Sequence, residues 1–168
     1  ASAVKGEVRF DALVCNSPFY DFNVPWIQKK TVIPLLSLLG RLKPDTSLPI
    51  GFSKFYGKSL YNSDFGEWDY NLLWKPHVAP AINAGWINAI HKGHLEIAKG
   101  ISVEKPILIL HSSKSVYPMQ WSENMFEGDA ILNVNDITEK SKLITSPQKE
   151  IIGFKGAIHD LILSRKPV

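Results

Sequence analysis

Three short apolar runs, each closed by turn residues, restrict this 168-residue chain more than any other feature. Phe10 to Cys15 (FDALVC) ends at Asn16-Ser17-Pro18. Ile107 to Leu110 (ILIL) is entered through Pro106 and left through His111-Ser112-Ser113, and Glu150 to Phe154 (EIIGF) is followed by Lys155-Gly156. Such runs, bounded by turn signals, are the pattern of strands buried on both faces, as in a parallel sheet. Asp136 to Leu143 (DITEKSKL) offers a helix between the second and third runs, with Asp136 as N-cap and Glu139 three residues on in a capping-box-like pair. The order strand, long insert, strand, helix, strand predicts an α/β sheet of three parallel strands with crossover helices.

The insert, about Phe19 to Gly100, is too long for a loop. Pro25 opens a run, Trp26 to Leu42, in which Ile27, Ile33, Leu36 and Leu39 fall near helical spacing, and Pro34 must kink or divide it. Asn83 to Lys99 is a second helical stretch, with Trp86, Ile90 and Ile97 on one side. The middle, Lys43 to Pro80, is rich in Pro, Gly, Ser and aromatics and is expected to be mostly irregular. Two units follow: 1–18 with 101–168 as the α/β core, and 19–100 as a mainly helical insertion. Its aromatics (Phe52, Phe55, Tyr56, Tyr61, Trp68, Tyr70, Trp74) either line a pocket or form the insertion's own core. Phe19, Trp26 and Trp86 are the candidate substrate-binding residues.

Charge narrows the partners. Nineteen Lys and Arg against sixteen Asp and Glu leave a net charge of only +3, and no basic run exceeds two residues, as at Lys29-Lys30. Nucleic acid, which needs a concentrated basic face, is excluded as the main partner. No apolar stretch approaches the ~20 residues of a transmembrane helix. A single cysteine, Cys15, cannot close an internal disulfide, which points to a reducing, cytoplasmic setting.

Gly156-Ala157-Ile158-His159-Asp160 carries the chemistry. It sets a histidine just past a strand, in a turn that Gly156 lets close tightly, at the sheet rim where such folds place reactive groups. An imidazole titrates near working pH and can act as a general base there. Asp160, beside it, is expected to brace the turn.

The segments FDALVCNSPFYDFN, EWDYNLLWKP, AGWINAIHKGH, PILILHSSKS, GDAILNV and GAIHDLILS resemble, in the same order, those of bacterial α/β-hydrolases of the serine aminopeptidase and monoacylglycerol-lipase-like (lysophospholipase-like) group. The resemblance runs from about Arg9 to Ser164. It implies the C-terminal part of an α/β-hydrolase fold, with a helical cap inserted after the sixth strand, and a Ser-His-acid triad without cofactor or metal. His159 matches the histidine. In the wider fold the acid follows the strand equivalent to ILIL, where this chain has Ser115. Relatives of this form take the acid from the GDAILNV region, which leaves Asp129 and Asp136. Asp136 has a role as an N-cap and Asp129 has none as strong, so Asp129 is the preferred candidate acid and Asp136 the alternative.

The nucleophile is absent from these residues. No serine has glycines two positions before and two after, as a G-x-S-x-G elbow requires, and Gly51-Phe52-Ser53-Lys54-Phe55 lacks the second glycine. The resemblance puts the elbow upstream of residue 1 and a closing helix beyond Val168. The expectation is therefore a fragment of a serine hydrolase of esters or lipid-like acyl substrates, supplying His159 and Asp129. It would be inactive alone and able to self-associate through an unpaired sheet edge. The alternative is a non-catalytic binding module on the same scaffold.

Other motifs read as structure. Gly57-Lys58-Ser59 lacks the spacing and the preceding strand of a phosphate loop. His91 and His94 have metal-compatible helical spacing but no third ligand nearby, so they are expected on a solvated helix face. Cys15 is expected to be a small buried core residue.

Overall fold

The computed structural model describes residues 10–51 and 54–165. Its strands are β1 (Leu13–Asn16), β2 (Ile101–Ser102), β3 (Ile107–Ser112), β4 (Ile144–Thr145) and β5 (Lys149–Phe154). Its helices are α1 (Trp26–Lys30), α2 (Val32–Leu42), α3 (Lys54–Leu60), α4 (Ala84–Ala98) and α5 (Val134–Ser141). The three apolar runs form one parallel sheet in the order β1-β3-β5, with β3 in the centre. A short parallel pair, β2 with β4, was not expected from the sequence.

β1 begins at Leu13, not Phe10. Leu13 is in register with Ile107, and the next partner upstream is Pro106, which has no N–H for the ladder and only accepts from the Leu13 N–H at 2.9 Å. β3 has neighbours on both sides, and Ile107 and Ile109 pack with Val103, Leu132, Ile137 and Ile144 in the sheet's main core. Full burial of a side chain such as Ile109 is worth about 1.5–3 kcal/mol. Cys15, expected in this core, is only half-buried at its margin, because β1 is an edge strand.

α5 starts two residues before the expected cap. Asn133 is the N-cap, accepting from the Asn135 N–H at 3.0 Å, and Asp136 sits inside the first turn. The capping-box reading of Asp136 and Glu139 is thus corrected. Asp136 instead pairs with Lys29 of α1 at 2.7 Å. Burial lowers the Lys29 pKa, but hydrogen bonds and charge from Asp136 and Asp21 outweigh it and hold the ammonium above its usual range.

The insert is helical where periodicity was strong. Asn83 caps α4 by accepting from the Trp86 N–H at 2.8 Å. The run from Trp26 to Leu42 is divided at Thr31, a turn ahead of Pro34. The proline ring has no room for the Lys30 carbonyl and offers it no N–H, so the helix restarts with Pro34 in its first turn, where no donor is missed. α2 and α4 close on each other around Phe22, Ile33, Leu48, Ala84 and Ile87. The middle of the insert, expected to be irregular, contains α3. Its glycines hid it, yet Gly57 is required: a Cβ there would stand 2.5 Å from the Cα of His77. α3 joins a separate cluster, Tyr56 and Leu60 with Met125 and Ile158, which ties the insert to the turn after β5. Among the described residues no helix is long and apolar enough to cross a membrane.

Candidate active site

The turn after β5 presents His159 because both of its flanks are fixed. Gly156 turns the chain at φ +72°, a conformation other residues rarely adopt. Ile158 is 1% exposed, and its N–H reaches the Ser164 hydroxyl at 3.2 Å. The ring's Nδ1 lies 2.9 Å from Oδ2 of Asp129.

Asp129 is fully buried, and a buried carboxylate is tolerable only when hydrogen-bonded. Its Oδ1 accepts the N–H groups of Ile131 and Leu132, each at 2.8 Å, which leaves Oδ2 for the imidazole. The chain reaches this place beside the 114–116 segment: the Asp129 N–H donates to the Lys114 carbonyl at 2.9 Å, and the Val116 N–H donates to the Asp129 carbonyl at 2.8 Å. A Cβ on Gly128 would lie 2.7 Å from the Lys114 oxygen, which explains the glycine. An ionised carboxylate only accepts, so Nδ1 carries the hydrogen and Nε2 of a neutral ring keeps its lone pair. His159 is partly exposed, and it lines a cavity of about 730 Å³.

That cavity is mostly apolar, with Phe19, Phe22, Ile33, Ile87 and Trp86 contributed by the insert. Phe19 and Trp86 stack with centroids 6.1 Å apart, so two of the three candidate substrate-binding aromatics meet in one wall. Trp26 does not join them. It is 65% exposed on α1, under the Lys30 ammonium at 4.8 Å. Of the other insert aromatics, Tyr56 and Trp74 line the cavity, Phe55 and Tyr70 pack on the Leu60 cluster, and the Trp68 indole donates to the Leu163 carbonyl at 2.8 Å. Phe52 lies outside the described residues. Ser115, at the position the resemblance gives to an acid, donates to the Leu132 carbonyl at 2.8 Å and accepts from the Val134 N–H at 2.9 Å.

Sequence reasoning missed Ser17 and Lys75 on the lining and did not bring Tyr56 to Asp160. Ser17 stands at φ +41°, is buried with its hydroxyl unpartnered among the described residues, and lines the cavity where β1 gives way to the insert. Tyr56, Lys75 and Asp160 meet across more than 80 residues of sequence, and no local pattern announces such a contact. Burial pushes the Asp160 carboxyl up, but the Lys75 hydrogen bond and charge, with Tyr56 and His159 adding to them, hold it below the usual carboxylate range.

His94, expected on a solvated face, is buried. Its Nε2 meets the Phe19 carbonyl at 2.9 Å, and the ring packs edge-on against Phe19 and Phe22, each 4.8 Å away. Among the described residues no cluster of metal-ligating side chains accompanies it. Burial lowers its pKa from the ordinary 6.5, against the opposing pull of the Phe19 carbonyl and Asp21. The unfolded chain therefore binds this proton more readily than the folded one. Stability is complete above pH 6.5 and falls as the pH drops below that value toward the folded pKa. Urea unfolding followed between pH 7 and about pH 5 is expected to show this loss, and His94→Gln to remove that part of the slope.

No protein-family model matches this chain, and no curated protein does. Solved structures do share its fold. The monoacylglycerol lipase of Paleococcus ferrophilus superposes with a TM-score of 0.62 at 19% identity, over 94% of this chain and 53% of its own. A soluble variant of the monoglyceride lipase of Saccharomyces cerevisiae, solved with a substrate analogue, gives a TM-score of 0.51 at 17% identity, over 89% of this chain and 47% of its own. The chain thus has the fold of part of an α/β-hydrolase and spans about half the length of these lipases.

Proposed function

We propose that this chain supplies the acid–base half of a serine hydrolase that cleaves carboxylic esters or lipid-like acyl substrates. The observation that carries the proposal is the Asp129–His159 pair, its imidazole on the wall of an apolar cavity. In the reaction, Nε2 takes the proton of a serine hydroxyl as that oxygen attacks the acyl carbon, and later returns a proton to the leaving alcohol. Asp129 holds the tautomer and stabilises the imidazolium. The segment 19–100 acts as a cap that sorts substrates over the core formed by 1–18 and 101–168. The fold shared with monoacylglycerol lipases and the exposed apolar residues Ile50 and Trp74 on the cavity wall support a lipid-like acyl group.

The serine comes from an N-terminal portion of the same protein, which also pairs with the side of β1 that no strand among the described residues occupies. Val14, 62% exposed on that edge strand, supports this pairing, and supports self-association when the edge is left open. The single cysteine supports a cytoplasmic location. A non-catalytic binding module is the second reading, favoured by Ser115 standing where the wider fold places the acid.

A fluorophosphonate probe on the full-length protein separates the two. An upstream serine is expected to be labelled, and labelling to fall at least about a hundredfold in His159→Ala, in the range of a lost general base. Labelling indifferent to that change, or no labelled serine, defeats the hydrolase reading.

A further inference from the structure

The turn that carries His159 is gripped by groups that take no part in the proton transfers proposed above. The Tyr56 hydroxyl of α3 accepts the Asp160 N–H at 2.9 Å and donates to Asp160 Oδ2 at 2.9 Å, closing a ring of two hydrogen bonds around one residue. Lys75, on the cavity wall, donates to the same Oδ2 at 2.9 Å. Two separate stretches of chain, α3 and the segment of Lys75, therefore converge on the residue next to the imidazole. The ring of Tyr56 also stands edge-on to His159, with centroids 6.0 Å apart.

The hydrogen bond to Asp129 sets the tautomer, yet one bond leaves a ring free to pivot about it. The backbone beneath the ring has to be fixed independently, since proton transfer tolerates little misplacement. Burial suits Tyr56 to fixing it. Tyr56 is only 9% exposed, so less water competes for its hydrogen bonds than at the Lys75 side chain, which is 42% exposed.

We propose that Tyr56 and Asp160 are positioning residues for His159, and that Lys75 latches them to the cavity wall so that the wall and the imidazole hold one another in place. This deepens the hydrolase reading and rests on His159 being its base.

The test needs no turnover. It follows the rate at which the His159 Nδ1 hydrogen exchanges with solvent, by NMR of the whole chain, with neighbouring backbone amides other than that of Asp160, which Tyr56 itself holds, as the reference. Tyr56→Phe is expected to accelerate that exchange about tenfold relative to those amides, the effect of one lost hydrogen bond to a charged group. Lys75→Met is expected to accelerate it a few-fold, in line with a partly exposed ion pair, and Lys75→Arg to restore the original rate. A merely structural role predicts that ring and amide exchange change together. That result, or Lys75→Arg behaving like Lys75→Met, overturns the proposal. If Tyr56→Phe does not fold, the two Lys75 variants decide alone. Failed fluorophosphonate labelling with the exchange pattern as expected would remove the hydrolase reading and with it the catalytic meaning of the latch, whereas labelling with ring and amide exchange changing together would remove the latch alone.

Discussion

Asp129→Asn, introduced into a protein that also carries the nucleophile, is expected to lower kcat by about four orders of magnitude with little loss of fold. The reason is the direction of one hydrogen bond. Asparagine is nearly isosteric, so its oxygen can still accept from the Ile131 and Leu132 N–H groups that now converge on Oδ1. Its amide nitrogen then faces His159 where Oδ2 stands at 2.9 Å, and an amide N–H donates. The ring must answer with a bare Nδ1, which moves its hydrogen to Nε2 and leaves no lone pair for the serine proton. A wrong tautomer of this kind costs about 10⁴ in related chemistry. The ring ¹⁵N shifts of the chain itself would show the exchange of tautomers, and an unchanged tautomer with a large loss of rate would refute the explanation. Asp129→Ala separates stability from chemistry. It strips three donors of their buried acceptor, the Leu132 N–H buried and the Ile131 N–H and His159 ring partly so, and a loss of about 3–5 kcal/mol in urea unfolding is expected.

How much of this was legible in the sequence depends on the range of the interaction. Of the three strands expected to be buried on both faces, only the central β3 is buried along most of its length, and β1 and β5 are half-exposed. All three still announced themselves as short apolar runs closed by turn residues, a purely local signature. α4 was legible for the same reason, with a capping asparagine at its start and apolar residues at helical spacing behind it. Boundaries failed where a partner decided them: β1 starts after Pro106, which has no N–H to give it, and α5 takes Asn133 as its cap where Asp136 was expected. α3 was lost because Gly57 argues against a helix locally, while the reason for the glycine, the backbone of His77, lies twenty residues away. At the site, His159 stood out by position after a strand, and Asp129 through the resemblance. Tyr56 had no such mark. Its contact with Asp160 spans 104 residues and depends on α3, the element the sequence concealed.

Gly40→Ala and Gly93→Ala are expected to change stability in opposite directions, although both glycines lie inside helices. Propensity treats them alike: alanine is favoured over glycine within a helix by about 0.5–1 kcal/mol. The surroundings do not. Nothing lies within 4 Å of a Cβ built on Gly93 in α4, so Gly93→Ala should gain about that amount. A Cβ on Gly40 in α2 would stand 1.9 Å from the Ala84 carbonyl oxygen and 2.4 Å from its carbon. Those are backbone atoms at the start of α4 and cannot rotate aside, so the two helices must separate. Overpacking of this kind costs about 3 kcal/mol, which exceeds the propensity gain and leaves a net loss of about 2 kcal/mol. The consequence reaches the cavity, because α2 and α4 bring Ile33, Trp86 and Ile87 to its wall. An apolar fluorescent dye bound there by the native chain is expected to bind more weakly to Gly40→Ala and equally well to Gly93→Ala. Urea midpoints that rise for both variants would show that α2 and α4 do not meet as closely as the geometry requires, and the cavity wall they form would have to be redrawn.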